Sequence, residues 1–371
     1  MSVVRAEARR RWSLVAALVA VLCAVPVAVA ALPVSSAGPD AQALRRLVLA
    51  SADEPHEGLV ETRGSLGLPA LPGLDEATAL LSGTSRLRVW YDGPRRWRVA
   101  QLLAAGERDF QQGPDALTVW DYEREVLTRV RGRPAVRLPN ASDLSPPALA
   151  RRLLGMAASA DRVSALPARR TAGRTAVGLR VTPAGDTTTV GALEVWADPE
   201  TGLPVEVRVT PRDADRPALT SRFLDLRLAR PAASAVAPRP APGLRTTTVS
   251  APDLLSRLAS GTEERLPDTL LGRRALPGTP SISSVRGYRD GLATFLVAPL
   301  PGRYGNRVHR AAVDAGAPAV EMPREGTEAV LLRTSLLTAI VVLDDTDDRV
   351  FLLVGAIRPD PLAEIARELV S

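Results

Sequence analysis

A proline-rich stretch near the middle of the chain does most to limit what this sequence can fold into. Residues 231–249 contain Pro231, Pro238, Pro240 and Pro242. Proline at this density interrupts helix and strand hydrogen bonding and favours an extended, semi-rigid connection. Because 371 residues are more than one hydrophobic core usually holds, we predict two domains, over 40–230 and 250–371, joined by a linker over 231–249.

The first 37 residues have the pattern of an export segment. Three consecutive arginines, Arg9 to Arg11, precede an uncharged stretch, Trp12 to Ala37, that contains the small-x-small sequence Ala28-Val29-Ala30. We therefore predict an extracytoplasmic location, with residues 1–37 as either a cleaved signal peptide or an uncleaved membrane anchor. Cys23 lies within this segment, so the exported remainder has no cysteine for disulfides or thiolate metal sites.

The charge of the chain gives no support to nucleic-acid binding. All 47 basic residues are arginine, and the formal net charge is only +6. About half of that excess belongs to the export segment, whereas phosphate binding needs a clustered surplus of positive charge. The arginine-only composition is typical of a high-GC genome, such as that of an actinobacterium.

Alternating apolar and polar residues predict that strands dominate the first domain. Leu87, Val89 and Tyr91 alternate with arginines and Trp90, and a turn at 92–94 leads into a second strand near Trp97. Helices are predicted after Asp40, which can cap the first one, and after Ser145, which precedes a proline. Successive strands with few helices favour an α+β fold with a large curved antiparallel sheet.

The second domain is also predicted to be α+β. A helix near Ser250 and a closing helix after Asp360 flank several apolar segments of strand length. The predicted strands lie at Val285–Val297, Val308–Val313, Ala319–Met322, Ala329–Leu343 and Val350–Gly355.

Nothing in the sequence points to catalysis or to a bound metal. The chain has two histidines, His56 and His309, and no nucleophile motif accompanies either of them. The acidic run at 344–348 has neither the central glycine nor the terminal glutamate of a calcium loop, which favours a solvated turn. We predict that the protein is not an enzyme and uses no cofactor.

Tryptophans are concentrated in the first domain, which contains Trp90, Trp97, Trp120 and Trp196. By strand parity, Trp90 and Trp120 lie opposite the aliphatic face, so both faces of the sheet carry apolar groups. Either the tryptophans fill an ordinary core or they line a hydrophobic cavity. An apolar loop over 64–73, followed by a short helix through Leu80 and Leu81, is a candidate cover for such a cavity.

Two groups of motifs resemble a known family. The stretch 193–208, with Val195-Trp196 and Asp198-Pro199-Glu200-Thr201-Gly202-Leu203-Pro204, resembles the strand-turn-strand motif of the LolA-like fold. In the second domain, 285–295 with Tyr288-Arg289-Asp290-Gly291-Leu292 resembles the C-terminal domain of RseB/MucB-type regulators, as does the closing strand and helix from Val350. The aromatic residue of a further family stretch, near Pro277, is absent.

The resemblance implies a fold and a function. The fold would be an open half-barrel with helices over its concave face, followed by a smaller α+β domain. The function would be that of an extracytoplasmic regulator that binds the extracytoplasmic region of an anti-sigma factor and senses a lipid or lipoprotein. A carrier of lipids or lipoproteins without a sigma-factor role is the alternative. The candidate cavity residues are Trp90, Trp97, Trp120, Tyr122, Trp196, Leu80 and Leu81, and the candidate partner-binding residues are Tyr288, Arg289, Asp290 and Gly291.

Overall fold

The computed structural model describes residues 38–67, 75–132, 139–237, 245–250, 266–276, 285–346 and 348–371. The predicted export segment, the helix predicted near Ser250 and residues 68–73 of the predicted covering loop lie outside this part of the chain. Within it, no helix is both long enough and apolar enough to cross a bilayer.

One twelve-stranded sheet forms the framework of the first part of the chain. Its strands are β1 (His56–Gly64), β2 (Thr84–Tyr91), β3 (Trp97–Leu102), β4 (Glu107–Gln112), β5 (Leu117–Asp121), β6 (Val126–Arg131), β7 (Arg162–Thr171), β8 (Arg174–Thr182), β9 (Val190–Ala197), β10 (Pro204–Pro211), β11 (Leu219–Arg227) and β12 (Arg245–Ser250). They lie in the order β12-β6-β5-β4-β3-β2-β1-β11-β10-β9-β8-β7. All neighbours are antiparallel except β12 and β6, so the predicted large antiparallel sheet is confirmed.

Helices cover one face of this sheet. They are α1 (Ala41–Ala50), α2 (Asp75–Leu81) and α3 (Pro146–Met156), with 3₁₀ turns at Ser51–Asp53 and Ala141–Leu144. Asp40 caps α1 as predicted, since its carboxylate accepts a hydrogen bond from the Ala43 N–H at 2.8 Å. Leu44 of α1 and Leu154 of α3 are buried against Leu179 and its neighbours in the strands. The helix-covered face is therefore the core face.

The predicted hairpin of β2 and β3 is confirmed, whereas four strands of this sheet were not predicted. Tyr91 pairs with Trp97 across the turn. The missed strands are β1, β4, β7 and β12, the last of which lies largely within the predicted linker. Most side chains of β7 are exposed or half-buried, because this strand forms an edge of the sheet. Such a strand lacks the apolar alternation by which strands are predicted from sequence.

A second, five-stranded antiparallel sheet forms the framework of the remaining chain. Its strands are β15 (Arg286–Asp290), β16 (Ala293–Leu300), β17 (Thr327–Arg333), β18 (Thr338–Asp344) and β19 (Arg349–Gly355), in the order β15-β16-β19-β18-β17. A small hairpin of β13 (Thr269–Leu270) and β14 (Arg273–Arg274) lies beside it. Helices α5 (Gly302–Asp314) and α6 (Pro359–Leu369) pack against it.

The strand prediction at Val308–Val313 was wrong, because these residues belong to helix α5. The buried positions are Gly305, His309 and Ala312, which recur at helical spacing. A Cβ at Gly305 would lie 2.5 Å from Val350, so this glycine permits close packing of the helix on β19. The predicted segment Ala329–Leu343 is divided into β17 and β18, and Ala319–Met322 contributes only an isolated bridge from Ala319 to Val330.

The structure describes two pieces of the predicted linker, residues 231–237 and 245–249, and both contact the first sheet. The linker contains a short helix, α4 (Ala233–Val236), which packs on β2 and β3, and its last residues enter β12 beside β6. The Gln111 side-chain amide donates to the Val236 carbonyl at 2.8 Å. Proline restricts a chain without preventing it from packing, and residues 231–237 pack on the sheet in this way.

The two parts of the chain also make direct contact. Thr188 forms an antiparallel bridge with Ile357, and the Thr189 hydroxyl donates to the Leu336 carbonyl at 2.6 Å. Leu292 and Leu336 of the second part are buried in the hydrophobic core that the first sheet and its helices form. The domain boundaries at 230 and 250 stay a prediction, but the two parts share a core.

Candidate functional site: a cavity under the helices and a surface on the second sheet

A cavity of about 910 Å³ lies between the core face of β2–β6 and the segment that leads into α3. This volume is within the range of ligand cavities, about 300–1,000 Å³. Apolar side chains of the sheet form one wall, and polar side chains lie on the helical side. The lining residues are His56, Val89, Tyr91, Pro94, Arg95, Trp97, Val99, Gln112, Pro114, Asp115, Ala116, Leu117, Val119, Val130, Gly132, Asn140, Ser142, Asp143, Ser145, Pro147, Ala148 and Arg151.

Strand register explains the apolar wall. Tyr91 pairs with Trp97, Trp97 with Gln112, Gln112 with Leu117, and Leu117 with Val130. Directly paired residues point to the same face of a sheet, so this row crosses five strands on one side. A second row, which includes Val89, Val99 and Val119, continues the same face.

The helical side of the cavity is fixed by capping. The 3₁₀ turn Ala141–Leu144 starts at a reciprocal cap, in which the Asn140 side chain accepts from the Ser142 N–H and the Asp143 carboxylate accepts from the Asn140 N–H. The Ser221 hydroxyl of β11 donates to the Leu144 carbonyl. These bonds hold the segment at a set height above the sheet.

Three stacked groups form the inner end of the cavity. The ring of His56 stacks on that of Tyr91, with centroids 4.8 Å apart and planes inclined by 20°, and the Tyr91 hydroxyl donates to the Ala52 carbonyl at 2.7 Å. The Arg151 guanidinium lies 6.0 Å from the centroid of the Tyr91 ring. Burial lowers the pKa of His56 to about 4, so the imidazole is neutral at pH 7.

Of the predicted cavity residues, Trp97 is the one that lines this cavity. Trp90, Trp120 and Tyr122 lie on the other side of the sheet, because Trp90 pairs with Arg98 and Trp120 with Asp109. Trp120 and Tyr122 stack there, with ring centroids 4.2 Å apart. The parity argument placed Trp90 and Trp120 opposite the aliphatic face correctly, but the cavity lies on the aliphatic face.

A buried charge cluster explains why aromatic residues occupy the outer face. Arg98 is 3% exposed; its Nε donates to Asp109 at 2.9 Å, and its Cζ lies 4.7 Å from the Trp90 ring centroid. Burial and the hydrogen bond with Glu107 raise the pKa of Asp109 to about 6, although Arg98 acts in the opposite direction. Trp90 therefore packs over the guanidinium of a buried salt bridge on this face.

The remaining predicted cavity residues have packing roles. Trp196 lies across Gly178, donates from Nε1 to the Pro167 carbonyl at 3.1 Å, and is covered by the Arg169 guanidinium at 3.2 Å from its centroid. Leu80 is fully buried in the core with Val60 and Leu87, and Leu81 packs beside it. None of these three side chains lines the cavity.

Sequence reasoning missed the inner end of the cavity. His56 and Arg151 are far apart in the chain, and a lone histidine or arginine carries no motif. The alternation of Val89 and Tyr91 was visible, but it also fits an ordinary core. A cavity on the aliphatic face becomes apparent only when the distance between sheet and helix is known.

The predicted partner-binding residues separate into two groups. Arg289 and Asp290 are exposed at the end of β15. Tyr288 is fully buried instead: its ring stacks on Phe295 at 5.1 Å and its hydroxyl donates to the Pro267 carbonyl. Strand alternation turns Tyr288 inward, while Gly291 lies in a turn with positive φ, close to Ala158 of the first part.

Two ionisable groups outside the cavity, Asp344 and His309, are buried. Asp344, of the acidic run predicted as a solvated turn, is fully buried and accepts hydrogen bonds from Arg324 and Arg349. His309 is buried in α5, with Nε2 4.0 Å from a carboxylate oxygen of Glu328. Among the described residues, no group of three or more histidine, aspartate or glutamate side chains could hold a metal ion.

The chain matches no protein-family model and no curated protein. Among solved structures, it is similar to MucB in complex with MucA(peri), with 21% identity, a TM-score of 0.49 and coverage of 89% of this chain and 98% of that one. It is also similar to the MucA/MucB complex of Pseudomonas aeruginosa, with 18% identity, a TM-score of 0.49 and coverage of 88% and 97%. The predicted resemblance to RseB/MucB-type proteins is confirmed.

A LolA superfamily protein of Nitrosomonas europaea is a further similar structure. It has 13% identity and a TM-score of 0.26, and the similarity covers 54% of this chain and 98% of that one.

Proposed function

We propose that the protein is a non-enzymatic extracytoplasmic regulator that senses an amphipathic ligand in the cavity and binds the extracytoplasmic region of an anti-sigma factor. The observation that carries the ligand part is the cavity itself, with an apolar wall on the sheet and polar groups opposite. Such a site fits an acyl chain with a polar end. The similarity to MucB, whose solved complex contains MucA(peri), supports the partner.

Tryptophan fluorescence tests the ligand part. Trp97 lines the cavity, whereas Trp90 and Trp120 lie on the other face, so Trp97 should report an acyl ligand. We expect dodecanoate to shift the emission of the wild-type protein and of Trp90→Phe, and the shift to be lost in Trp97→Phe. The absence of a shift in the wild type at saturating ligand would count against the cavity as the ligand site.

Exposed residues of β15 test the partner part in the full-length chain. The double variant Arg289→Ala and Asp290→Ala should weaken capture of an anti-sigma factor's extracytoplasmic region encoded beside this gene. A matched double variant on α5, Arg303→Ala and Arg307→Ala, should bind like the wild type. If both doubles bind equally well, the partner surface lies elsewhere.

The carrier function is the second candidate, favoured by the same cavity. A carrier moves lipid between membranes without needing a protein partner. Transfer of labelled lipid between vesicles, together with no capture of the anti-sigma region, would replace the regulator proposal with this one.

A further inference from the structure

We propose that Arg151 makes the cavity selective for amphiphiles whose polar end is an anion, either a carboxylate or a phosphate. This inference rests on the proposed function, since it assumes that the cavity holds an amphipathic ligand. It adds the chemical class of the ligand and the residue that recognises it.

The position of Arg151 is the first observation. Its helix α3 runs past the cavity, and Pro147 and Ala148, one turn earlier, line the same space. Its Nη1 donates to the Ser51 carbonyl at 3.2 Å, and its Cζ lies 6.0 Å from the Tyr91 ring centroid. A guanidinium has five N–H donors in a planar fork, so further donors remain for a ligand at the cavity surface.

The charge balance around Arg151 is the second observation. Among the described residues, none forms an ion pair with it, and Asp53 acts on it only as a charge at longer range. Asp143 accepts the Asn140 N–H and lies 3.9 Å from Arg152, so its charge is engaged. Arg95 and Asp115 are exposed at the rim of the cavity, and their opposite formal charges sum to zero.

The third observation is that the charge of Arg151 is partly buried. Burial lowers the pKa of Arg151, although arginine stays protonated at neutral pH. A half-buried cation without a carboxylate partner has lost hydration that an anion can replace. Carboxylate and phosphate oxygens match the guanidinium fork in bidentate geometry, which makes such bonds both strong and selective.

The shape of the cavity gives the rest of the ligand. From Tyr91, beside Arg151, the wall crosses the strands through Trp97 to Leu117 and Val130, with Val89, Val99 and Val119 in the adjoining row. A ligand with its anionic group at Arg151 would therefore place its alkyl chain against the strands, and its binding would change the fluorescence of Trp97.

The test compares three probes with the same chain: dodecanoate, dodecyl phosphate and dodecanol. Trp97 emission of the full-length protein reports binding of each probe below its micellar concentration. We expect the anions to bind the wild type at least about tenfold more tightly than the alcohol. Arg151→Met should bring the ratio near one, Arg151→Lys should keep part of it, and the neighbouring exposed Arg152→Met should keep all of it.

The ratio of affinities separates recognition from a purely structural role. If Arg151 only ties α3 to the Ser51 turn, Arg151→Met will weaken all three probes alike and leave the ratio unchanged, which would overturn the proposal. If the wild type binds dodecanol as tightly as the anions, selectivity fails while the cavity stands. If no probe binds the wild type, the proposed function fails as well. If Arg151→Met does not fold, the affinity ratio of the wild type and that of Arg151→Lys test the proposal instead. The anion that binds more tightly, dodecanoate or dodecyl phosphate, identifies the headgroup chemistry.

Discussion

His56, at the inner end of the cavity, makes the stability of the folded protein depend on pH. It is 1% exposed, stacked on Tyr91 and in edge contact with Phe223, and its pKa falls to about 4 because burial disfavours the charged ring. The unfolded chain takes up a proton near pH 6.5, whereas the folded protein does so only near pH 4. The contribution of His56 to the free energy of unfolding is therefore fully present above pH 6.5 and is lost as the pH falls towards 4.

His56→Phe should therefore reduce the loss of stability in acid. The variant keeps an aromatic ring against Tyr91 but has no proton to bind. The free energy of unfolding, measured by urea titration at pH 7 and pH 4.5, should fall more in the wild type, by up to about 3 kcal/mol. Asp109, whose raised pKa acts with the opposite sign between about pH 4 and 6, is present in both proteins and cancels. Equal losses in both proteins would contradict the assignment.

Residue types alone predicted some roles and not others. Asp40 was identified as a helix cap because capping depends on a few adjacent residues. Trp120 and Trp196 were assigned to a cavity because tryptophans often line one. Their actual partners, Tyr122 beside one and Arg169 above the other, depend on strand pairing, which a sequence does not specify to the residue.

At the scale of elements, the packing of β8 against β9 depends on one glycine. A Cβ at Gly178 would lie 2.6 Å from Trp196 Nε1 and 2.9 Å from the Leu166 Cβ. The indole therefore needs a bare backbone beneath it in order to reach the Pro167 carbonyl and the Arg169 guanidinium. The register of β7 against β8 shifts between Leu166 and Arg169, next to Pro167, which accepts the indole hydrogen bond.

Gly178→Ala should lower the free energy of unfolding by about 1–3 kcal/mol, the usual cost of overpacking a filled core. Gly185→Ala, where the added methyl would meet only the Thr187 hydroxyl at 4.0 Å, is the matched control and should change stability little. Trp196→Leu should be costly alone but should reduce the cost of Gly178→Ala in the double variant, in which only the close contact with the Leu166 Cβ remains. Additive effects of the two substitutions in urea unfolding would show that they do not interact.

Helix α5 shows why the second sheet was harder to predict than the first. Val308 and Val313 suggested a strand, yet the buried side of the segment is formed by Gly305, His309 and Ala312, which have little apolar surface. Small residues were selected there by the close approach to Val350, a tertiary constraint. The helix at the end of the chain has large apolar residues at helical spacing, and the helix is confirmed, although it begins at Pro359, so Asp360 lies in its first turn and does not cap it.

At the scale of the whole molecule, the two parts are joined by more than the segment between them. Arg358 donates its N–H to the Thr187 carbonyl at 2.8 Å, and the hydroxyl of Thr188 donates to the Ala356 carbonyl at 3.0 Å. Leu336 is 6% exposed within the core of the first part. The proline-rich segment predicted two separable units, because a sequence shows where a chain loses regular structure. It does not show which surfaces of the two units pack against each other.

This shared core predicts that the two parts unfold together. The tryptophans of the described chain, Trp90, Trp97, Trp120 and Trp196, all lie in the first part, whereas far-ultraviolet circular dichroism follows both sheets. Fluorescence and dichroism should therefore give coincident urea transitions in the wild type. Leu336→Asp places a charge in the apolar contact and should separate them, with the second part unfolding at lower urea. The exposed Leu271→Asp is the matched control and should leave the transitions coincident. Transitions that are already separate in the wild type would show that the contact couples the two parts only weakly, and that each unfolds as its own unit.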